Sequence, residues 1–339
     1  MKKLICALLS ILMILSMLAF VGCDKKDDSK GDDTTDAKAE TLKFGFGVYV
    51  GTPSATNATE EKDGQAKASI TAAVVTLDAD GKIVACALDT VENTVKYTAD
   101  GKAVANDSFK TKYELGKDYN MVAYGGAAKE WYEQADAFKG VVIGKTVAEV
   151  KALVADGNKG TDEVVKAGCT IMIHEFVNAI EKACKNADDS NVTANETLKL
   201  GLFTAQTCTD ATEEKDGKNQ VETTIFAAAF NADNKVVAAA SDCVQIAYTF
   251  NQKGESTFDA TKAVSTKKEQ GDNYNMKTYG GAAKEWYEQA AAFDAACAGK
   301  TVAEIGGFVG SDNYGNADLK AAGCTILVDG FVKAAAKLG

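Results

Sequence analysis

The same twelve residues, YGGAAKEWYEQA, occur twice in the chain, as Tyr124–Ala135 and again as Tyr279–Ala290, at an offset of 155. Other repeated stretches follow the same order: GKTVAE at 144–149 and 299–304, AGCTI at 167–171 and 322–326, and ATEEKDG at 58–64 and 211–217. Because collinear matches of this length do not arise by chance, the chain contains one unit written twice. The period is far longer than that of a solenoid repeat, which predicts two tandem domains.

The repeat also sets the predicted boundaries of the two domains. The first copy covers 41–186 and the second covers 197–339. The segment between them, ADDSNVTANE at 187–196, is polar and is predicted to be a linker.

Each copy begins with sequence patterns that are typical of strands. Ser69–Leu77 and Ile83–Leu88 are β-rich runs that flank the turn sequence Asp78–Gly81, which predicts a hairpin. Asp100 and Gly101 predict a further turn. The second copy has matching runs at Thr223–Phe230 and Val236–Ala240 around Asn231–Asn234.

Each copy ends with helical patterns. Trp131, Ala135 and Phe138 fall on one face of a helix predicted around Ala127–Phe138. The TVAE sequences at 146–149 and 301–304 are capping boxes that open a second helix. A last helix follows AGCT, with these residues on one face: Phe176, Val177 and Ile180 in the first copy, and Phe331, Val332 and Ala335 in the second. We predict an α+β fold in which an antiparallel sheet is packed with helices in each copy.

Composition excludes several classes of function. The 339 residues carry a formal net charge of −11, and every basic side chain is a lysine. An acidic chain without guanidinium groups is a poor nucleic-acid binder. The single histidine, His174, excludes a multi-histidine metal site, and the second copy has Asp329 in its place. Carboxylate-bound metals and bound cofactors remain open.

The N-terminus is predicted to be an export signal. Two lysines precede an apolar run from Leu4 to Phe20, and Gly22 and Cys23 follow it. This ending resembles the lipobox of bacterial lipoproteins, which implies that residues 1–22 are removed and that Cys23 is lipidated. An uncleaved membrane anchor is the alternative, since the run nears the length that spans a bilayer. Residues 23–40 are predicted to be a disordered polar tether.

Cleavage would change both the charge and the cysteine content. Loss of Lys2 and Lys3 takes the net charge from −11 to −13. Of the nine cysteines, seven remain once Cys6 and Cys23 are set aside, and only the pair at 169 and 324 recurs. An odd number without a repeated spacing indicates no disulfide framework. A single bridge such as Cys208–Cys243 stays open.

The repeated Ala-Gly-Cys-Thr sequence is the candidate site. A glycine lets another group approach the backbone, and a helix that starts directly after it would direct free N–H groups and a positive dipole end at one spot. Such a spot favours phosphate. Thr170 and Thr325 are therefore either ordinary helix caps or points of covalent attachment.

The lipobox, the acidic tether, the duplication and the EKDG, DADGKIV, KEWYEQA, GKTVAEV and AGCTI motifs together resemble the flavinylated FMN-binding lipoproteins of extracellular electron transfer, in particular the two-domain, pheromone-lipoprotein type. In that family a flavin transferase joins the phosphate of FMN to a Thr or Ser hydroxyl through a phosphoester bond. The resemblance implies that Thr170 and Thr325 are the acceptors. It also implies cofactor contacts at the other motif positions, Gly168, Cys169, Gly323 and Cys324.

The motif departs from the family pattern at three positions. Cys169 and Cys324 replace the family's Ala, Ala167 and Ala322 replace its Ser or Thr, and the acidic residue is displaced. The family has an acidic residue six positions before the acceptor, where this chain has Val164 and Leu319. The nearest acidic position that both copies share is one residue earlier, at Glu163 and Asp318. Either the transferase tolerates this shift or one domain is poorly flavinylated. Since both copies carry the same departure, the duplication argues that both sites tolerate it.

A flavin ring is flat and largely apolar, so aromatic and thioether contacts are expected beside it. The repeated block supplies four candidates: Met121, Tyr124, Met276 and Tyr279. Trp131 and Trp286 lie in the same block, but the helical spacing of Trp131 favours core packing. Asp89 and Asp242 are predicted to end the second strand of each copy, where they are either contacts for the polar edge of the flavin or turn residues.

The resemblance implies an extracytoplasmic electron carrier, lipid-anchored to the outer face of the bacterial cytoplasmic membrane, with one FMN per domain. Electrons would arrive from a membrane NADH dehydrogenase and quinone pool, and would leave to extracellular acceptors such as ferric iron. A carrier needs no catalytic residues of its own, because the cofactor supplies the reactivity. The alternative is a non-redox ligand-binding or structural surface lipoprotein, and residues 15–22 of the signal peptide are a possible pheromone in either case.

Overall fold

The computed structural model describes residues 39–339. The signal sequence, Cys23 and nearly all of the tether lie outside these residues. Within 39–339, every helix is too short or too polar to cross a bilayer. All seven described cysteines are free thiols, including Cys208 and Cys243.

The first part of the described chain forms an antiparallel sheet with helices on it. The strands are β1 Leu42–Val50, β2 Ser54–Thr56, β3 Gly64–Leu77, β4 Ile83–Tyr97, β5 Ala103–Val104 and β6 Asp188–Val192. The helices are α1 Lys112–Leu115, α2 Trp131–Val142, α3 Val147–Lys151, α4 Asp162–Ala167 and α5 His174–Lys185, with 3-10 turns at Gly116–Tyr119 and Asp156–Asn158. The strand order is β5-β4-β3-β1-β6, and β2 pairs with β3.

The second part repeats this plan with a three-stranded antiparallel sheet in the order β7-β8-β9. Its strands are β7 Thr197–Thr209, β8 Gly217–Phe230 and β9 Val236–Phe250. Its helices are α6 Lys267–Gln270, α7 Met276–Gly280, α8 Trp286–Ala296, α9 Val302–Gly306, α10 Ala317–Ala321 and α11 Asp329–Ala336, with a 3-10 turn at Gly271–Tyr274. The predicted α+β class, with antiparallel sheets packed against helices, is confirmed.

The predicted hairpin turn joins β3 to β4. The Asp78 N–H donates to the Lys82 carbonyl over 3.0 Å, and Gly81 has a φ of 75°, in the left-handed region that glycine tolerates best. The strands extend beyond the predicted runs, because pairing continues through polar residues as far as Tyr97 and Phe250.

The helix faces and caps follow the sequence patterns. Trp131, Ala135 and Phe138 are all buried, as predicted. The helix that carries them starts at Trp131 and not at Ala127, because Glu130 forms a capping box there. The predicted capping boxes that open α3 and α9 are both present.

The two sheets pack face to face, and helices cover their outer faces. Along β3, Ile70, Ala72 and Val74 point towards the other sheet, whereas Ala73 and Val75 point towards the helices. One apolar cluster lies between the sheets and draws residues from both parts of the chain, and each part has a second cluster under its own helices. The two copies therefore share a core in addition to having cores of their own.

A local twofold pseudosymmetry relates the two copies. The rings of Tyr97 and Phe250, which correspond at an offset of 153, stack on one another with centroids 4.5 Å apart. The same pseudosymmetry relates two backbone hydrogen bonds. The Ala58 N–H donates to the Gly254 carbonyl, and the Ala211 N–H donates to the Gly101 carbonyl, each over 2.8 Å. The ion pairs Lys182–Glu269 and Lys337–Glu114 are exchanged likewise.

The segment predicted to be a linker is partly a strand. Asp188–Val192 forms β6 and pairs with β1 at the edge of the first sheet. Ser190 donates its hydroxyl to the Leu42 carbonyl over 2.6 Å, and Val192 is fully buried in the shared core. Polar composition misled the prediction here, because an edge strand exposes most of its side chains to water.

Candidate functional site

Each copy has one cavity at the same place, on the outer face of its sheet beneath the helices. The first cavity has a volume of about 420 Å³ and the second about 590 Å³. Corresponding residues line both: Lys112 and Lys267, Tyr119 and Tyr274, Met121 and Met276, Trp131 and Trp286, Thr170 and Thr325, and Phe176 and Phe331. Since the cavities lie on outer faces, the two sheets stand between them.

The threonine predicted to be the acceptor lies at the edge of each cavity and is exposed. The Thr170 hydroxyl donates to Gln134 Oε1 over 3.0 Å, and its backbone N–H donates to the same oxygen over 2.8 Å. Thr325 and Gln289 make the same two bonds at 2.8 Å. Because the hydroxyl donates, the lone pairs of its oxygen stay available to an incoming group.

The glutamine is itself fixed by the repeated helix. Gln134 is only 1% exposed, and its Nε2 donates to the Lys129 carbonyl over 2.9 Å. Gln289 does the same with Lys284 over 3.1 Å. Neither glutamine was predicted from the sequence, although both are part of the identical KEWYEQA stretch.

Neither threonine is a helix cap. The prediction that a helix starts directly after AGCT is wrong, since α5 begins at His174 and α11 at Asp329. The cap positions are Ile173 and Val328, and no side chain caps either helix. The loop between threonine and helix keeps the hydroxyl away from the helix N–H groups, so the capping interpretation of Thr170 and Thr325 does not hold.

The motif glycine lies beneath a lysine in both copies. Gly168 and Gly323 have φ angles of 105° and 100° where the preceding short helix ends. A Cβ added at Gly168 would lie 2.4 Å from the Lys129 Nζ, and one at Gly323 would lie 2.3 Å from the Lys284 Nζ. In each copy an ammonium group thus lies beside the glycine that precedes the threonine by two residues. This feature was not predicted from the sequence.

The motif cysteines are in the core and not among the cavity-lining residues. Cys169 and Cys324 are fully buried in the apolar clusters under the helices. Burial raises the pKa of each thiol to about 11. Their placement gives them a packing role, and the predicted contact with a cofactor finds no support in it.

The predicted ring contacts divide into two groups. Met121 and Met276 line the cavities, as do Trp131 and Trp286, which are also packed into the core. Tyr124 and Tyr279 are 88% and 86% exposed and are not among the lining residues.

The two predicted aspartates lie in mid-strand, and the prediction that they end their strands is wrong. Side chains alternate along β4, so Thr90 and Glu92 face the first cavity while Asp89 does not. Asp89 accepts from the Thr90 N–H at 2.7 Å and from the Tyr113 N–H at 3.4 Å, which ties α1 to the sheet. Asp242 makes the corresponding bonds to α6, and burial raises the pKa of both carboxyls to about 6.

A lysine lies against the aromatic wall of each cavity, half-buried in the first copy and buried in the second. The Lys112 Nζ is 2.9 Å from a Glu92 carboxylate oxygen and lies over the Tyr119 and Trp131 rings. Burial opposes its charge, but Glu92 and Tyr119 outweigh that effect and raise the pKa of Lys112. Lys267 lies likewise over Tyr274 and Trp286, paired with Glu222 at 2.8 Å. Both lysines recur at the repeat offset, a signal that could have found them.

A larger cavity of about 810 Å³ lies between the two copies, against β1, β9 and α8. It includes neither Thr170 nor Thr325. We place the functional site in the two smaller cavities, because they repeat with the duplication and contain the threonines.

No family model, curated protein or solved structure matches this chain. The fold and the site define a duplicated α+β protein with two equivalent cavities, each bounded by a fixed threonine hydroxyl, an aromatic and thioether wall, and a lysine.

Proposed function

We propose that this chain is an extracytoplasmic electron-carrier lipoprotein with two tandem FMN-binding domains, and that Thr170 and Thr325 each carry FMN on a phosphoester bond. One observation carries the proposal: each copy holds an exposed threonine hydroxyl, bonded to a buried glutamine, at the edge of a cavity with an aromatic and thioether wall. A site that occurs twice in one chain suits a cofactor that is bound twice.

The residues around the threonine fit a phosphate group. Lys129 and Lys284 hold an ammonium beside the motif glycine, where the absence of a Cβ leaves room for it. Such a group offsets the negative charge of a phosphate through charge-assisted hydrogen bonds. Gln134 and Gln289 orient the hydroxyl that would bear the phosphate.

The cavity walls fit an isoalloxazine ring. Met121 and Trp131 present thioether and aromatic surface in the first cavity, and Met276 and Trp286 do so in the second. Lys112 and Lys267, paired with Glu92 and Glu222, place one ammonium group each at the cavity wall, where it can donate a hydrogen bond to the ring. When bound, the flavin supplies the electron transfer, and the chain positions it and sets its electrostatic environment.

The proposed partners follow from the resemblance. A flavin transferase attaches the cofactor, a membrane NADH dehydrogenase and quinone system supplies electrons, and extracellular acceptors such as ferric iron receive them. Lipidation at Cys23 and the tether at 23–40 would hold the protein near its membrane donor at a high effective concentration.

Intact mass tests the proposal directly. The mature chain is expressed with a flavin transferase, denatured and analysed for flavin fluorescence that stays with the polypeptide. We expect two FMN additions, one in each of Thr170→Ala and Thr325→Ala, and none in the double variant. A chain without flavin, or a double variant that keeps it, would contradict the proposal.

A non-redox ligand-binding lipoprotein is the second candidate, and one observation favours it. Val164 and Leu319, which stand where the family has an acidic residue, are both buried in the core. Their side chains are therefore not accessible to a transferase. This candidate predicts no covalent flavin in the mass experiment, together with a ligand in the cavities that denaturation releases.

A further inference from the structure

The two cavities share a framework but differ in their carboxylates: Glu92 and Glu175 line the first, and Glu222 and Asp329 line the second. In the first cavity, Glu175 on the first turn of α5 accepts hydrogen bonds from the Ser69 hydroxyl at 2.6 Å and from the Thr71 hydroxyl at 3.1 Å. Thr71 is fully buried and is bonded to Thr90 at 2.8 Å. This chain of hydroxyls fixes the carboxylate at the cavity wall. The second cavity has Gly330 at the corresponding position.

The other inner charges of the two cavities cancel in pairs. Glu92 is paired with Lys112 in the first cavity, and Glu222 is paired with Lys267 in the second. Glu175 forms no salt bridge within residues 39–339, although Ser69 and Thr71 bond to it. The first cavity therefore has one more negative charge close to the sheet than the second.

Charged groups at the rims do not offset this difference. Lys159 at the first cavity is exposed, so solvent screens its charge. Asp329 at the second cavity is paired with Lys333 at 3.3 Å. His174 is half-buried beside Glu175, and its Nδ1 has no hydrogen-bond partner in the described chain.

We propose that Glu175 sets the two cavities at different reduction potentials, with the first cavity lower than the second. The proposal rests on the proposed function. Two-electron reduction of a bound flavin takes two electrons from the donor and one proton from water, and leaves one negative charge on the ring. A fixed carboxylate nearby raises the free energy of that charge. At equilibrium, electrons delivered to the protein would therefore reside mainly on the flavin in the second cavity.

Single-site variants separate the two potentials. Thr325→Ala leaves flavin in the first cavity only, and Thr170→Ala leaves it in the second only. Each is titrated at pH 8 with a reference dye and dithionite, and covalent flavin is confirmed by mass. We expect the flavin in the first cavity to have the lower reduction potential. The expected difference is at least a tenfold preference for reducing the second cavity, which for a two-electron couple corresponds to about 30 mV.

The decisive variant removes the charge and keeps the shape. Glu175→Gln in the Thr325→Ala background should move the potential of the first cavity up, towards that of the second. Glu181→Gln, on the same helix and with its side chain 40% exposed, is the matched control and should leave the potential unchanged. Circular dichroism of the unloaded proteins confirms that each variant folds.

The possible failures are distinguishable. Equal potentials in the two single-site variants, or an unchanged potential in Glu175→Gln, would overturn this inference while leaving the carrier function intact. A protein that carries no covalent flavin would overturn the proposed function itself, and it would be recognised by mass before any potential is measured.

Discussion

At the scale of single residues, the position of the acceptor depends on one buried amide. Gln134 accepts both hydrogens that Thr170 offers, and Gln289 does so for Thr325. A loop held by two hydrogen bonds to one buried atom has a defined conformation, because leaving a buried acceptor without a partner costs about 1–3 kcal/mol.

Substitution of this glutamine should reduce flavin attachment in one copy only. Gln134→Leu removes the acceptor of Thr170, so we expect the rate of flavin transfer to Thr170 to fall by at least about fivefold, the equivalent of 1 kcal/mol. Peptide mapping after a timed reaction measures each site separately, and Thr325 in the same molecule is the internal control. Equal loss at both sites would contradict the local role of Gln134.

A second residue-scale prediction concerns Gly168. Gly168→Ala would force a residue with a Cβ into a φ of 105° and bring that Cβ within 2.4 Å of the Lys129 Nζ. We expect the free energy of unfolding to drop by about 1–3 kcal/mol, measured by urea denaturation. Gly140→Ala is the matched control: Gly140 lies inside α2 with open space around it. That change should stabilise by about 0.5–1 kcal/mol, and a loss as large as that of Gly168→Ala would refute the argument.

At the scale of elements, Asp89 and Asp242 join a strand to a short helix in each copy. Each carboxyl is almost fully buried and accepts N–H groups from its own strand and from the start of α1 or α6. Burial raises the pKa of each from 3.8 to about 6, so the folded protein binds these protons more tightly than the unfolded chain does.

This shift predicts a pH dependence of a definite sign. A raised pKa in the folded state contributes stability that is complete below the unfolded value and is lost as the pH rises through about 6. Asp89→Asn should therefore become less destabilising, relative to the unsubstituted protein, as the pH rises from 4 to 7. Urea denaturation across that range measures the difference. A constant difference would show that the carboxyl titrates alike in both states.

At the scale of the whole molecule, the two copies are joined by the core between their sheets. Tyr97 and Phe250 are fully buried there and stack on one another, and the Asn93 side chain donates to the Thr223 hydroxyl over 2.8 Å. Separating the copies would expose this apolar face to water at a cost that grows with its area. The two copies should therefore unfold together.

The two tryptophans make this testable, since Trp131 lies in the first copy and Trp286 in the second. Trp131→Phe and Trp286→Phe each leave one reporter. We expect the fluorescence transitions in urea to coincide with the circular dichroism transition of the same variant, and to show one midpoint each. Two separated transitions within one variant would indicate copies that fold independently.

Phe250→Ala should lower the urea midpoint that each tryptophan reports. We expect the free energy of unfolding to fall by about 3–5 kcal/mol.

Local patterns in the chain were enough to predict several features of the fold. The duplication is visible as identical letters, the β3–β4 hairpin follows from turn chemistry, and the buried face of α2 follows from helical periodicity. The threonine at the edge of each cavity was also found from the sequence, because the same motif occurs in both copies.

Tertiary structure alone decided the features that depend on distant segments coming together. Lys112, Trp131 and Glu175 line one cavity from three different helices, and no spacing in the chain encodes that convergence. Polar composition could not reveal that residues 188–192 would add a strand to the first sheet. Nor could it reveal that the two sheets would bury one face against each other, since strand alternation marks an apolar face but not what covers it.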